Sequence, residues 1–177
     1  MNICNIKISN FRGIKNASIF INKNVVLVGD NNSGKSTLFE AIDLVMGPDR
    51  LTRYPVIDEH DFYAGEYLKD GTPVQIDIEV IVTGLNNDQK IYFGNHIEWW
   101  DKKTNAIISG PPASSTDSDE VEPALRLVFQ GSYNLEEDDF EGKTYFAETL
   151  RDGSTPEPFR KADKRKCGFL YLRTLRT

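Results

Sequence analysis

The sequence predicts an α/β fold with a large antiparallel component, and three observations carry that prediction. Apolar and polar residues alternate at Ile6–Ile8, Val74–Val82 and Leu125–Phe129, the period of a half-buried strand. One continuous apolar run, Val25-Val26-Leu27-Val28, ends at Gly29, the pattern of a strand covered on both faces. Directly after it, Leu38, Phe39, Ala41, Ile42, Val45 and Met46 recur at helical spacing.

The length, 177 residues, suits one domain or one large lobe and is enough to bury a core without disulfides. Hydrophobic residues make up 39% and charged residues 27%, an ordinary globular composition. No apolar run approaches the roughly 20 residues of a membrane-spanning helix. The opening Met1-Asn2-Ile3-Cys4-Asn5 lacks a basic-then-apolar signal pattern. Two distant cysteines without metal-ligand spacing, Cys4 and Cys167, argue against a disulfide framework and a zinc knuckle and fit a reducing, cytoplasmic setting. The net charge of −6 is uneven. Residues 1–150 hold 13 Lys/Arg against 24 Asp/Glu, and residues 151–177 hold 8 against 3. A basic sleeve for nucleic acid is excluded, whereas a basic patch near the C-terminal end is not.

Each element can be justified in order. The strand around Ile6 and Ile8 breaks at Phe11-Arg12-Gly13, and Ala17, Ile19 and Ile21 form a second strand, with a turn expected near Lys15-Asn16. Val25–Val28 is the buried strand, a Gly- and Asn-rich loop spans Gly29 to Gly34, and the following helix stops at Gly47-Pro48. Residues 48–72 show no period. Val74–Val82 is the longest strand signal. From Asn86 to Asp101, Phe93, Ile97 and Trp100 share a helical face, so a helix is expected there. Residues 104–123, with Gly-Pro-Pro and an acidic run, read as an exposed loop. Strands follow at Leu125–Phe129 and Thr144–Phe146, with Glu136–Asp139 as a hairpin tip. The basic stretch Lys161–Lys166 then leads to a buried strand at Phe169–Leu172.

The chemistry is concentrated in Gly29-Asp30-Asn31-Asn32-Ser33-Gly34-Lys35-Ser36-Thr37, a full G-x-x-x-x-G-K-[ST] match between a strand and a helix. The glycines let successive backbone N–H groups turn inward toward phosphate oxygens. The helix N-terminus adds its positive end. Lys35 is positioned to reach the β- and γ-phosphates of ATP, the Ser36 hydroxyl to ligate Mg²⁺, and Thr37 to add a phosphate hydrogen bond. Two alternating strands before the loop and more after its helix set this chain apart from simple parallel phosphate-loop folds. The arrangement looks like the N-terminal lobe of a P-loop NTPase of ABC-ATPase-head type, with a mixed sheet.

Three segments also resemble the start of the OLD-family nucleases (overcoming lysogenization defect). They are Ile8-Ser9-Asn10-Phe11-Arg12-Gly13-Ile14, Asn24–Gly29, and Asn31–Ile42 with its doubled Asn31-Asn32. The opening is shared more loosely with RecF-type and SMC-type ATPases, and residues 167–177 are similar to a later segment of the OLD family. The resemblance implies an ABC-type ATPase joined to a C-terminal Toprim nuclease that acts on DNA with divalent metal, in a homodimer or higher homo-oligomer. It implies ATP and Mg²⁺ as cofactors, a role in DNA repair or phage defence, and Arg12 and Asn10 near the nucleotide. A solvated turn arginine is the alternative for Arg12. No Walker B strand, signature loop or acidic Toprim cluster is legible, so residues 1–177 are expected to be one ATP-binding lobe of a longer protein. A RecF/SMC-type ATPase without nuclease activity and a stand-alone nucleotide-binding module are the rival readings.

Other candidates are weaker. Asp58-Glu59-His60-Asp61 reads as an exposed loop or helix start, since four adjacent residues do not converge on one ion. His96 is expected on a helix beside Trp99 and Trp100, packed or at the surface, with at least one tryptophan in the core. Arg160, Lys161, Lys164, Arg165 and Lys166 read as a solvated linker, with DNA phosphates as the alternative. The acidic residues 117–122 read as solvated.

Overall fold

A computed structural model describes residues 1–21, 24–31, 33–48, 55–108, 110–111, 120–151 and 155–171. The alternating sequences fold as foreseen into long antiparallel strands. β1 (Asn2–Phe11) pairs with β2 (Ile14–Phe20), and on its other side with β5 (Ile76–Thr83). The connecting turn lies at Arg12-Gly13, three residues before the expected place, because Lys15 and Asn16 are already in β2. β3 (Leu68–Lys69) and β4 (Thr72–Pro73) form a small separate hairpin.

β8 (Val121–Asn134) organises the rest of the sheet. One side pairs with β5. The other pairs first with β6 (Glu98–Asp101), itself paired with β7 (Ala106–Ile108), and then with β9 (Asp139–Phe146). The order is β2-β1-β5-β8-β6-β7, with β9 also on β8. Every pairing among the described strands is antiparallel, and one strand serving two successive neighbours curls the sheet.

Helix α1 (Lys35–Met46) packs on one face, against β1, β5 and β8. Its Leu38, Ala41, Ile42 and Val45 meet Ile6, Ile8, Ile78, Val80, Leu127 and Phe129 in one buried cluster. The period of 2 in the strands and the period of 3.6 in the helix point their apolar sets at each other. The opposite face carries ion pairs beside a small apolar cluster of Ile81, Trp100 and Ala124. Lys7 Nζ lies 3.0 Å from Glu79, Arg126 grips Glu98 at 2.8 and 3.0 Å, and Arg151 reaches Glu98 at 2.8 Å.

Five expectations are corrected. Val25–Val28 forms no strand, and Val25, Val26 and Val28 are 52%, 85% and 90% exposed. A continuous apolar run shows that a segment needs cover, but the cover itself must come from other elements. The expected helix from Asn86 to Asp101 is only α2 (Asn87–Tyr92), then a 3₁₀ turn at Gly94–His96 and strand β6. The exposed loop 104–123 contains β7 and the start of β8, with Val121 buried and residues 112–119 outside the described residues. The basic stretch is helix α3 (Lys161–Cys167), not a linker. Phe169–Tyr171 carries no strand, and Leu170 is 75% exposed.

Phe129 is the packing centre of the sheet. It is fully buried, and Gly131 and Gly142 face each other across β8 and β9 beneath its ring. A Cβ on Gly142 would lie 2.5 Å from Phe129 Cζ, so only glycine admits the ring. Phe129→Ala is expected to cost about 3–5 kcal/mol, and Gly142→Ala about 1–3 kcal/mol by overpacking. Urea unfolding followed by circular dichroism measures both.

Candidate nucleotide site

The site begins where α1 begins. Gly34 is the N-cap, with φ of 87° and ψ of 1°, a left-handed conformation that glycine adopts without a Cβ penalty. No side chain caps this helix end, and its first turn holds no acidic residue. Most helices fill that position with Ser, Thr, Asp or Asn to satisfy orphan N–H groups. Here the donors stay open, in the arrangement that receives an anion.

The loop before the helix folds back on Lys35. The Ser33 N–H donates to the Asp30 carbonyl at 3.2 Å, closing a turn through exposed Asn31. Lys35 Nζ donates to the carbonyls of Gly29 and Asp30, both at 2.6 Å, and to Ser33 Oγ at 3.1 Å. The loop thus gathers around one ammonium group. Ser36 lies exposed on the first turn and Thr37 is half-buried beside it. Asn32 lies outside the described residues. The uncapped helix end, the lysine in the loop and an accessible hydroxyl fit a nucleotide phosphate with Mg²⁺. Among the described residues no group of three His, Cys, Asp or Glu side chains converges on a metal position. Ser36 would be the hydroxyl offered to such an ion.

Arg12 is neither solvated nor on the loop. Its Nε donates to Asp61 Oδ1 at 2.7 Å and it pairs with Glu40. Its backbone N–H donates to the Asp61 carbonyl at 2.8 Å. Both Asn10 and Arg12 take positive φ, 57° and 49°, strain that the surrounding contacts must hold. Glu40 stands four residues beyond Ser36, on the same face of α1. Arg12 therefore ties the β1–β2 turn, the 58–61 segment and the side of α1 together. Asn10 donates to the Gln75 carbonyl.

Asp58–Asp61 is the 3₁₀ start the sequence suggested, built as a capping box in which Asp58 accepts from the His60 N–H and Asp61 from the Asp58 N–H. Asp61 is buried rather than exposed. Its burial as the partner of Arg12 was not foreseen. His96 ends a 3₁₀ turn instead of sitting in a helix. Its ring stacks on Phe146 at 3.7 Å and Nδ1 lies 2.5 Å from Glu148. Trp100 is in the core and Trp99 is half-buried, both on β6. Burial pushes the Cys4 and Cys167 thiols up to about 12, which leaves neither as a nucleophile near neutral pH.

A family model described as AAA ATPase domain matches residues 1–156. The chain belongs to that family. Its fold is the mixed α/β fold with a curled antiparallel sheet. No curated protein sequence matches the chain significantly. A solved structure from work on the ATP-driven dimerization and DNA-stimulated activation of SMC ATPases is similar over 93% of this chain and 75% of its own, at 12% identity and a TM-score of 0.44. Among the described residues no helix is long and apolar enough to cross a membrane.

Two substitutions test this geometry. Gly34→Ala is expected to cost about 1–2 kcal/mol, the penalty of a left-handed non-glycine residue, read by thermal unfolding. Arg12→Ala leaves the buried Asp61 carboxylate without its cation and is expected to cost about 1–3 kcal/mol. A double-mutant cycle with Glu40→Ala should return a coupling above about 0.5 kcal/mol. Additive effects would show that the Arg12–Glu40 contact carries no energy.

Proposed function

We propose that this chain is the N-terminal, ATP-binding lobe of an ATP-dependent DNA endonuclease of the OLD type. In this reading ATP·Mg²⁺ binding regulates paired heads in a homodimer or larger homo-oligomer, and through them DNA cleavage by a part of the protein outside residues 1–177. The observation that carries the ATP half is the open helix end at Gly34, preceded by a loop that converges on Lys35. The resemblance of residues 8–42, with the doubled Asn31-Asn32, supports the nuclease half. The exposed Val25, Val26 and Val28 beside the loop support a lobe that is completed by further strands.

The residues divide the work by chemistry. Backbone N–H groups at the start of α1 donate to phosphate oxygens. Lys35, released from the Gly29 and Asp30 carbonyls, neutralises charge on the β- and γ-phosphates. Ser36 would offer one oxygen to Mg²⁺, and the ion would supply positive charge against the phosphates. Arg12, on the Ser36 face of α1, is assigned a place at the edge of the nucleotide. These groups bind charge, and none of them polarises an attacking water. The segment is therefore expected to hold ATP with little turnover.

Calorimetric titration of ATP·Mg²⁺ tests the reading, with phosphate release followed on the same samples. Binding by the unaltered chain should weaken by roughly 30- to 150-fold in Lys35→Ala, the loss of a charge-assisted hydrogen bond worth about 2–3 kcal/mol. Absence of binding by the unaltered chain would overturn the phosphate-site assignment for this segment. Rapid turnover would overturn the incomplete-lobe assignment. An assay of the full-length protein for divalent-metal-dependent DNA cleavage separates the OLD reading from a repair ATPase that does not cut.

A further inference from the structure

The far end of α1 is held by a residue that the nucleotide chemistry does not use. Lys164, on α3, has no exposed surface. Its Nζ donates to the Leu44 carbonyl at 2.7 Å, across 120 residues of sequence, and Thr144 Oγ1 donates to the same oxygen at 3.4 Å. That oxygen belongs to the last turn of α1, where carbonyls have no partner within the helix. The helix has no basic residue of its own in that turn, so the donor that closes this carbonyl comes from α3. Cys167, one turn along α3, is buried beside Lys164, and α3 lies beyond the residues that the family model matches.

We propose that Lys164 is a positioning residue for the nucleotide site: seated in the core, it fastens the C-terminal end of the phosphate-loop helix to α3, so that docking of α3 and phosphate binding at Lys35 and Ser36 are coupled. The coupling rests on the phosphate-site reading above, whereas the tether itself does not.

The surroundings of the amine make the tether respond to protons. Burial pushes Lys164 down from 10.5 to about 7, against the opposing pulls of Asp43 on α1 and of Cys167 on α3. Asp163, also on α3, acts on Cys167 while accepting hydrogen bonds from Tyr92 and the Arg160 N–H. From β9 the Thr144 hydroxyl faces the shared carbonyl. The docked amine thus gives up its proton near pH 7, while the undocked one keeps it to about 10.5. Between those values undocking takes up a proton, so docking strengthens as pH rises, by up to about tenfold per unit. Below about pH 7 the dependence flattens.

The test compares the unaltered chain with Lys164→Met, which keeps the length and removes the charge. Backbone hydrogen exchange of α3 and of the last turn of α1 is measured at pH 5, 6, 7, 8 and 9, corrected for intrinsic rates. ATP·Mg²⁺ affinity is measured on the same samples. In the unaltered chain, protection should rise with pH by up to about tenfold per unit, and affinity should rise several-fold in step. Lys164→Met should lose both slopes. Asp43→Asn, which removes the carboxylate that favours the ammonium, should move the start of the slope to lower pH, and it serves if Lys164→Met does not fold. An unchanged slope in Lys164→Met, or an unchanged onset in Asp43→Asn, would overturn the tether. A slope in protection with no matching slope in affinity would overturn the coupling. A chain that binds no ATP at any pH would overturn the phosphate-site reading and the coupling with it, while the exchange slopes would still decide the tether.

Discussion

A helix has unpaired N–H groups at one end and unpaired carbonyls at the other, and the rest of this structure follows from how α1 meets that constraint. At the N-terminal end Gly34 takes a conformation that leaves the donors uncapped. At the C-terminal end a buried lysine from α3 closes the Leu44 carbonyl. Between them Glu40 takes the Arg12 guanidinium, itself held by buried Asp61. The apolar face of the helix is sealed against the sheet, which leaves its N-terminal end open to a ligand. A helix capped at both ends by its own side chains would be more stable and could not receive a phosphate.

The sheet was legible because one face is apolar along its length and the other is largely charged, apart from the small cluster at Ile81, Trp100 and Ala124. That asymmetry writes a period of 2 into β1, β5 and β8, and α1 carries the matching helical period. Legibility failed where the pattern was ambiguous or spoke only of need. Phe93, Ile97 and Trp100 satisfy a helical spacing, yet Trp100 is buried because it alternates with Trp99 on β6. A short apolar set cannot separate the two periods, and Gly94 tips the chain into a 3₁₀ turn instead. Val25–Val28 announces a demand for cover without naming what supplies it.

The phosphate loop was legible because its residues are contiguous and each type has a local reason. Its supports were not, because they come from distant segments. Asp61 meets Arg12 across 49 residues, and Lys164 meets Leu44 across 120. Lys164 belongs to a run of basic residues in which Arg160, Arg165 and Lys166 are exposed and Lys161 is half-buried. Nothing in the composition of the run marks one lysine as buried. What marks it is position, since Lys164 and Cys167 are three residues apart and share the one face of α3 that turns inward.

The exposed valines connect these themes. On the proposed reading they are the flank on which further strands complete the lobe. Burying Val25, Val26 and Val28 is worth about 1.5 kcal/mol or more for each side chain. They lie directly before Gly29, so a strand that covered them would also fix the start of the phosphate loop. Whatever binds that flank would be linked to nucleotide binding by mass action, since each would favour the same ordered loop. Phe39, on the outer side of α1, stacks on Tyr171 at 6.1 Å, and Leu170 next to it is exposed. The loop is therefore bordered by apolar surface, and low dielectric there would strengthen each contact that Lys35 makes with a phosphate. Completion of the lobe and recognition of the nucleotide would then be two expressions of the same burial.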